Sequence, residues 1–214
     1  MFKKAMTALA LSAAIASAHS EVLINEGFDN ISTLASAGWI LNNASTPKGV
    51  TDWFQGNNVD IFDAHAGAAN SYIAGNNNNA AVGGQINNWL ITPTFSNATA
   101  LQLSFYAKAD AFAGAADLIS FGASTGGSNA ADFSMGSVVT VPTGDWTKYT
   151  ITFAAHGAGS VARFAINYAG AADTANYVGI DTLSVNAVPE PSTWLMLAAG
   201  LGGLGLLRKR KAAR

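Results

Sequence analysis

The chain has 214 residues, half of them apolar and only 11% charged, with 22 glycines and no cysteine. That length suits one domain with appendages, and the lack of cysteine excludes disulfides and thiol chemistry. The formal charge of −2 hides a segregation: between residues 19 and 191 only Lys48, Lys108, Lys148 and Arg163 stand against all thirteen acids, a formal charge of −9. Such a surface repels nucleic acid and leaves divalent cations as plausible partners.

Residues 1–18 read as a secretory signal peptide. Lys3 and Lys4 precede an apolar stretch from Ala5 to Ile15, and Ala16-Ser17-Ala18 supplies a small-residue cleavage site. From there to residue 187 the dominant period is two. Leu101, Leu103, Phe105, Ala107 and Ala109 alternate with Gln102, Ser104, Tyr106 and Lys108. Tyr149, Ile151 and Phe153 alternate with Lys148, Thr150 and Thr152, and Phe164, Ile166 and Tyr168 alternate with Arg163, Ala165 and Asn167. Half-buried strands alternate in this way. Further strands are expected near 22–28, 37–43, 51–56, 87–95, 117–124, 134–141 and 177–187. Gly/Asn/Ser-rich turns separate them, among them the run Asn76–Asn79, expected as a loop tip. No segment sustains a helical period. The fold class is all-β, a two-sheet antiparallel sandwich of jelly-roll type over 19–187.

Two carboxylates break the pattern of the first and last strands. Glu26 shares parity with Val22, Ile24 and Phe28, and Asp181 shares parity with Leu183 and Val185. Both are thereby expected to point toward the apolar side, where an unpaired charge is costly. With four basic side chains in the domain, a cation is one solution. Calcium takes six to eight oxygens, and Glu26 and Asp181, with Asp29 as a third ligand, form a candidate structural calcium site. The competing reading places both at the rim, hydrogen-bonded to backbone amides. The cluster Asp60-Ile-Phe-Asp-Ala-His65 lacks the converging histidines of a zinc site and reads as a solvated acidic loop. Among the aromatic residues, Trp89 and Trp146 read as packing residues. Trp53, flanked by Asp52 and Gln55, and Tyr106, on a polar face, are the candidates for an exposed ligand-binding platform.

No catalytic pattern stands out. There is no G-x-S-x-G elbow and no phosphate-binding loop, and glutamate is nearly absent from the domain once its start is passed. A glycoside hydrolase would need two facing carboxylates, and no motif selects a pair.

The tail, residues 188–214, has three parts: Pro189-Glu190-Pro191, an apolar run from Trp194 to Leu207, and the basic block Arg208, Lys209, Arg210, Lys211. As a helix those fourteen residues would span about 21 Å. A hydrocarbon core of about 30 Å normally takes about 20 residues. A short transmembrane helix with its basic end in the cytoplasm is expected, seated marginally, as befits a temporary tether. This ordered pattern resembles the PEP-CTERM sorting signal of Gram-negative bacteria. The resemblance implies export across the inner membrane by the secretion machinery. It also implies transient contact with that membrane, cutting by an exosortase-type membrane protease, and release to the cell surface or extracellular matrix.

The sandwich itself resembles the choice-of-anchor J domains, relatives of cleaved-adhesin and MAM-like jelly rolls. The segments that carry the likeness are Asn25-Glu-Gly-Phe-Asp29 with Gly38-Trp39, Asn87-Asn-Trp-Leu-Ile-Thr-Pro93, Leu101-Gln-Leu-Ser-Phe105, Asp145-Trp-Thr-Lys-Tyr149 and Tyr177-Val-Gly-Ile-Asp181. Related jelly rolls hold a structural calcium near the paired chain ends, so the resemblance also implies Ca2+ there. The expectation is a non-catalytic adhesive or matrix protein binding glycan or protein. The alternatives are an exopolysaccharide-acting hydrolase and a purely structural matrix component.

Overall fold

The computed structural model describes residues 21–188. The expected signal helix, the Pro-Glu-Pro segment, the apolar run 194–207 and the basic block 208–211 lie outside the described residues. Within them no helix is long and apolar enough to cross a membrane.

The strands in chain order are β1 (Val22–Glu26), β2 (Ile40–Asn43), β3 (Thr46–Lys48), β4 (Phe54–Gln55), β5 (Ile73–Asn76), β6 (Ala80–Ile91), β7 (Phe95–Ser96), β8 (Leu101–Ala109), β9 (Leu118–Ser124), β10 (Ser134–Met135), β11 (Val139–Thr140), β12 (Thr147–Phe153), β13 (Val161–Ala171) and β14 (Tyr177–Ala187). One sheet runs β12-β8-β14-β5-β4, with β1 also beside β14. The other runs β10-β9-β13-β6-β2, with β11 on β9, β3 on β6 and β7 on β13. Every pairing is antiparallel. This is the expected two-sheet sandwich.

The alternating strands make the core. Leu101, Leu103, Phe105, Ala107 and Ala109 of β8 are buried and pack with Ile180, Leu183 and Val185 of β14. They meet Phe164, Ile166 and Tyr168 of β13 from the facing sheet. Aromatic rings lock the layers: Phe105 stacks on Tyr149 at 5.3 Å and meets Phe121 edge-on at 5.2 Å. Such pairs add about 0.5–1.5 kcal/mol to plain burial.

Two regions depart from expectation. β5 and the first half of β6 were not legible, because Ile73-Ala-Gly-Asn76 and Ala80-Ala-Val-Gly-Gly84 lack a clean period of two. The Asn76–Asn79 run does turn the chain, through a 3-10 turn at Asn77–Asn79, yet Asn79 is fully buried. Its amide donates to Thr51 O, Thr51 Oγ1 and Asp52 O at 3.0–3.1 Å, while its Oδ1 accepts from Asn88 Nδ2 at 3.1 Å. It is an interior tie between segments, where a loop tip was expected.

Candidate functional site

The outer face of the β12-β8-β14 sheet is covered by residues 57–71. Its covering layer is a small second core of Phe62, Tyr72, Ala74 and Tyr177, against which Phe54, Ile61, Ala64 and Trp146 pack. Phe62 stacks on Tyr72 at 5.2 Å, and Trp146 meets Phe62 and Tyr72 edge-on. Polar contacts fix the segment at both ends. Tyr72 Oη donates to Asn57 O at 2.9 Å, and Asn57 N–H donates to Tyr177 Oη at 3.1 Å. Trp146 Nε1–H donates to Asp63 O at 3.0 Å.

Asp181 sits beneath this segment. Its parity with Leu183 does not survive folding, because the ladder between β14 and β8 shifts register between Asp181 and Ser184 and Thr182 takes a φ of +50°. Ile180 and Leu183 therefore both face the core, and Asp181 shares the opposite face with its partner Tyr106. Its carboxylate is buried and accepts from Ala66 N–H at 3.1 Å and Thr182 N–H at 2.5 Å. Burial pushes the Asp181 carboxyl up from its ordinary range, against the amides of Ala66 and Thr182 that pull it down.

Glu26 keeps the expected parity with Ile24, since β1 pairs Ile24 with Val185 and Glu26 with Leu183, while a register shift before Ile24 takes Val22 out of it. Glu26 lies half-buried at the rim, where Oε1 accepts from Phe28 N–H at 2.7 Å and Phe28 has a φ of +54°. Burial raises its pKa too, partly countered by the Phe28 amide, with the Asp29 charge adding to the rise. Asp29 borders the covering segment: a Cβ on Gly67 would come within 3.2 Å of its Oδ1. The carboxylates thus gather around one strand end, but Glu26 and Asp181 approach it from opposite faces of the sheet. Among the described residues no group of three or more acidic or histidine side chains is placed to hold a metal ion.

Tyr106, expected on a polar face, is there, half-buried on the outer face. His65 stacks on it with ring centroids 3.6 Å apart, and His65 Nδ1 lies 3.0 Å from Thr182 Oγ1. Lys148 Nζ approaches the Tyr106 ring at 5.8 Å and Lys108 Nζ the Phe62 ring at 4.9 Å, both in cation–π range. His65 therefore serves as part of an aromatic cover, a role its sequence neighbours Asp60 and Asp63 did not signal.

Trp53, expected on an exposed platform, lies instead in the core. It is only 5% exposed and belongs to the main core, 6.5 Å from the Tyr168 ring, so it offers no platform. Its polar neighbours Asp52 and Gln55 are turned to other tasks: Asp52 pairs with Lys48 at 3.0 Å, and Gln55 Nε2 donates to Phe28 O at 2.8 Å. Trp89 is buried and Trp146 half-buried, as packing residues.

A last buried carboxylate escaped the sequence reading. Asp117 accepts from Tyr168 Oη at 2.6 Å and from the N–H groups of Asn176 and Tyr177 at 2.9 and 3.2 Å, joining both sheets.

Comparison with known proteins adds two findings. Residues 187–211 match the PEP-CTERM protein-sorting motif. The described fold is similar to the K3 cleaved adhesin domain of Lys-gingipain from Porphyromonas gingivalis W83, at 16% identity and a TM-score of 0.58, over 79% of this chain and 100% of that one. It is similar also to the K1 cleaved adhesin domain of the same protein, at 20% identity and a TM-score of 0.59, over 77% and 98%. At these identities the likeness is one of fold. No curated protein matches the chain in sequence.

Proposed function

We propose that this is an exported, surface-sorted, non-catalytic binding protein of a Gram-negative bacterium, held briefly at the inner membrane by its tail. In this reading an exosortase-type protease cuts near Pro189-Glu190-Pro191, and the sandwich goes to the cell surface or extracellular matrix, where it binds glycan or protein. The single observation that carries the proposal is the sorting motif at 187–211, joined directly to the end of β14. The adhesin-like sandwich supports the binding half of it. The finer assignment to the choice-of-anchor J domains rests on the segments from Asn25 to Asp181 that resemble them. Tyr106, with His65 stacked on it, stays a candidate contact surface; Trp53 does not.

The test is fractionation of the native host. A shortened chain outside the cell, converted to a membrane-held full-length form when the exosortase gene is deleted, supports the proposal. Intact chain in the inner membrane of the wild type, with nothing outside, overturns it.

A structural calcium ion near Asp181, Asp29 and Glu26 is a separate proposal. Its support is that Asp181 and Glu26 are both desolvated, with the charge of Asp29 beside Glu26, and that among the described residues no basic side chain pairs with them. A ligand that binds only the folded state raises its stability. Equal melting temperatures in EDTA and in added calcium reject it.

A further inference from the structure

The connections β5–β6, β8–β9 and β13–β14 meet at one end of the sandwich and border an open cleft of about 390 Å³. That volume lies within the range of small-ligand sites. The three connections are stitched together through their backbones. Asn77 N–H donates to Asn176 O at 2.9 Å, Ala116 N–H to Thr174 O at 2.7 Å, and Asp110 N–H to Tyr177 O at 3.0 Å. Asn176 Nδ2 adds a bond to Asp110 at 2.9 Å. A mouth tied in this way loses little further freedom when a ligand arrives.

The cleft presents an unusual mixture. Phe112 is 67% exposed and Val82 is 94% exposed, so both forgo the stabilisation that burial brings. Phe112 stands on a turn closed by Ala115 N–H donating to Phe112 O at 3.1 Å, with Gly114 at a φ of +84°. Among the described residues its ring pairs with no other ring. Beside it the exposed side-chain amides of Asn77 and Asn78 have no hydrogen-bond partner among the described residues. Asp173 spends one carboxylate oxygen on Gly83 N–H at 2.9 Å. Among the described residues no lysine or arginine lines the cleft.

This combination selects a ligand chemistry. An isolated aromatic face packs against the C–H face of a pyranose ring, while free amides and a carboxylate bond its hydroxyls. The absence of cationic side chains in the lining, within an acidic domain, disfavours a uronic acid or phosphate. We infer that this cleft binds a neutral saccharide chain, with Phe112 as its stacking residue and Asn77, Asn78 and Asp173 as its polar contacts. The inference rests on the reading of the sandwich as a binding protein and names its ligand class. It does not depend on where the cell sends the chain.

The experiment uses the purified full chain in detergent, so a failure of export and a failure of binding remain separable. The probes are hexasaccharides of glucose, mannose, galactose and xylose, with hexagalacturonate as the charged counterpart, followed by calorimetry and saturation-transfer NMR. At least one neutral probe is expected to bind. Phe112→Ala weakens that binding about tenfold, Asn78→Ala weakens it less, and Phe112→Trp retains it. Val161→Ala, an exposed position at the opposite end of β13 from the cleft, leaves it unchanged. Absence of binding by every neutral probe overturns the inference, as does binding indifferent to Phe112→Ala or stronger for hexagalacturonate. Phe112-dependent retention on host matrix that survives periodate oxidation and is lost to protease indicates a protein partner, and overturns it equally.

Discussion

The carboxylate of Asp181 accepts a hydrogen bond from the backbone amide of Ala66 at 3.1 Å, across 115 residues of sequence. With Thr182 N–H on the other oxygen, it fastens the covering segment 57–71 to the last strand. Asp181→Ala leaves both amides without their acceptor and is expected to destabilise by about 1–3 kcal/mol. Denaturant unfolding measures the loss. Proteolysis within 57–71 becomes faster in the variant than in the wild type.

Asn79 makes its bonds to Thr51, Asp52, Asn76 and Asn88 from a fully buried position. Asn79→Ala removes partners from several buried groups at once. The expected loss is at least about 2 kcal/mol, and Asn79→Asp, which turns a carboxylate toward backbone carbonyls, is worse. Thermal unfolding ranks the two variants.

Gly179 lies in β14 beneath the aromatic cover. A Cβ there would come within 2.9 Å of Trp146, 2.9 Å of Tyr72 and 3.0 Å of Phe62. Gly179→Val is expected to cost about 1–3 kcal/mol by overpacking. The near-ultraviolet circular dichroism of the displaced rings reports the change directly.

Alkaline pH is expected to destabilise this fold through its buried tyrosines. Burial raises the pKa of Tyr72 above the ordinary 10.0, with the neighbouring Tyr177 hydroxyl adding to the rise. Burial raises Tyr168 likewise, helped by the Asp117 charge, and raises Tyr177 against the opposing bonds to Tyr72 and Asn57. A raised folded pKa means that the unfolded chain loses its protons first. These contributions are complete below pH 10 and are lost as pH rises above it, by up to about 1.4 kcal/mol per pH unit for each group. Tyrosinate absorbance from these rings should appear together with loss of the sheet signal. Tyr168→Phe should flatten the alkaline slope; an unchanged slope contradicts the assignment.

The strands whose side chains alternate strictly were legible in the sequence. β8 and β12 pair from Leu101–Phe153 to Ala107–Thr147 with the expected faces, because nothing in either strand disturbs the pleat. Where the sequence misled, a local irregularity or a distant partner decided the outcome. The face of Asp181 turned on a register shift and a left-handed Thr182, which no residue pattern announces. The depth of Trp53 turned on contact with Tyr168, 115 residues later, rather than on its polar neighbours. The cleft at Phe112 was illegible because Ala111-Phe-Ala-Gly-Ala115 has no period, and its other walls come from connections that only folding brings together.

The place of β14 in its sheet has a mechanical consequence. It is held along its length by β8 on one side and by β5 and β1 on the other, and the sorting motif begins at its last residue. Tension applied to the chain beyond Val188 therefore loads an interior strand lengthwise. Its ladders resist together in shear, where an edge strand would peel open bond by bond.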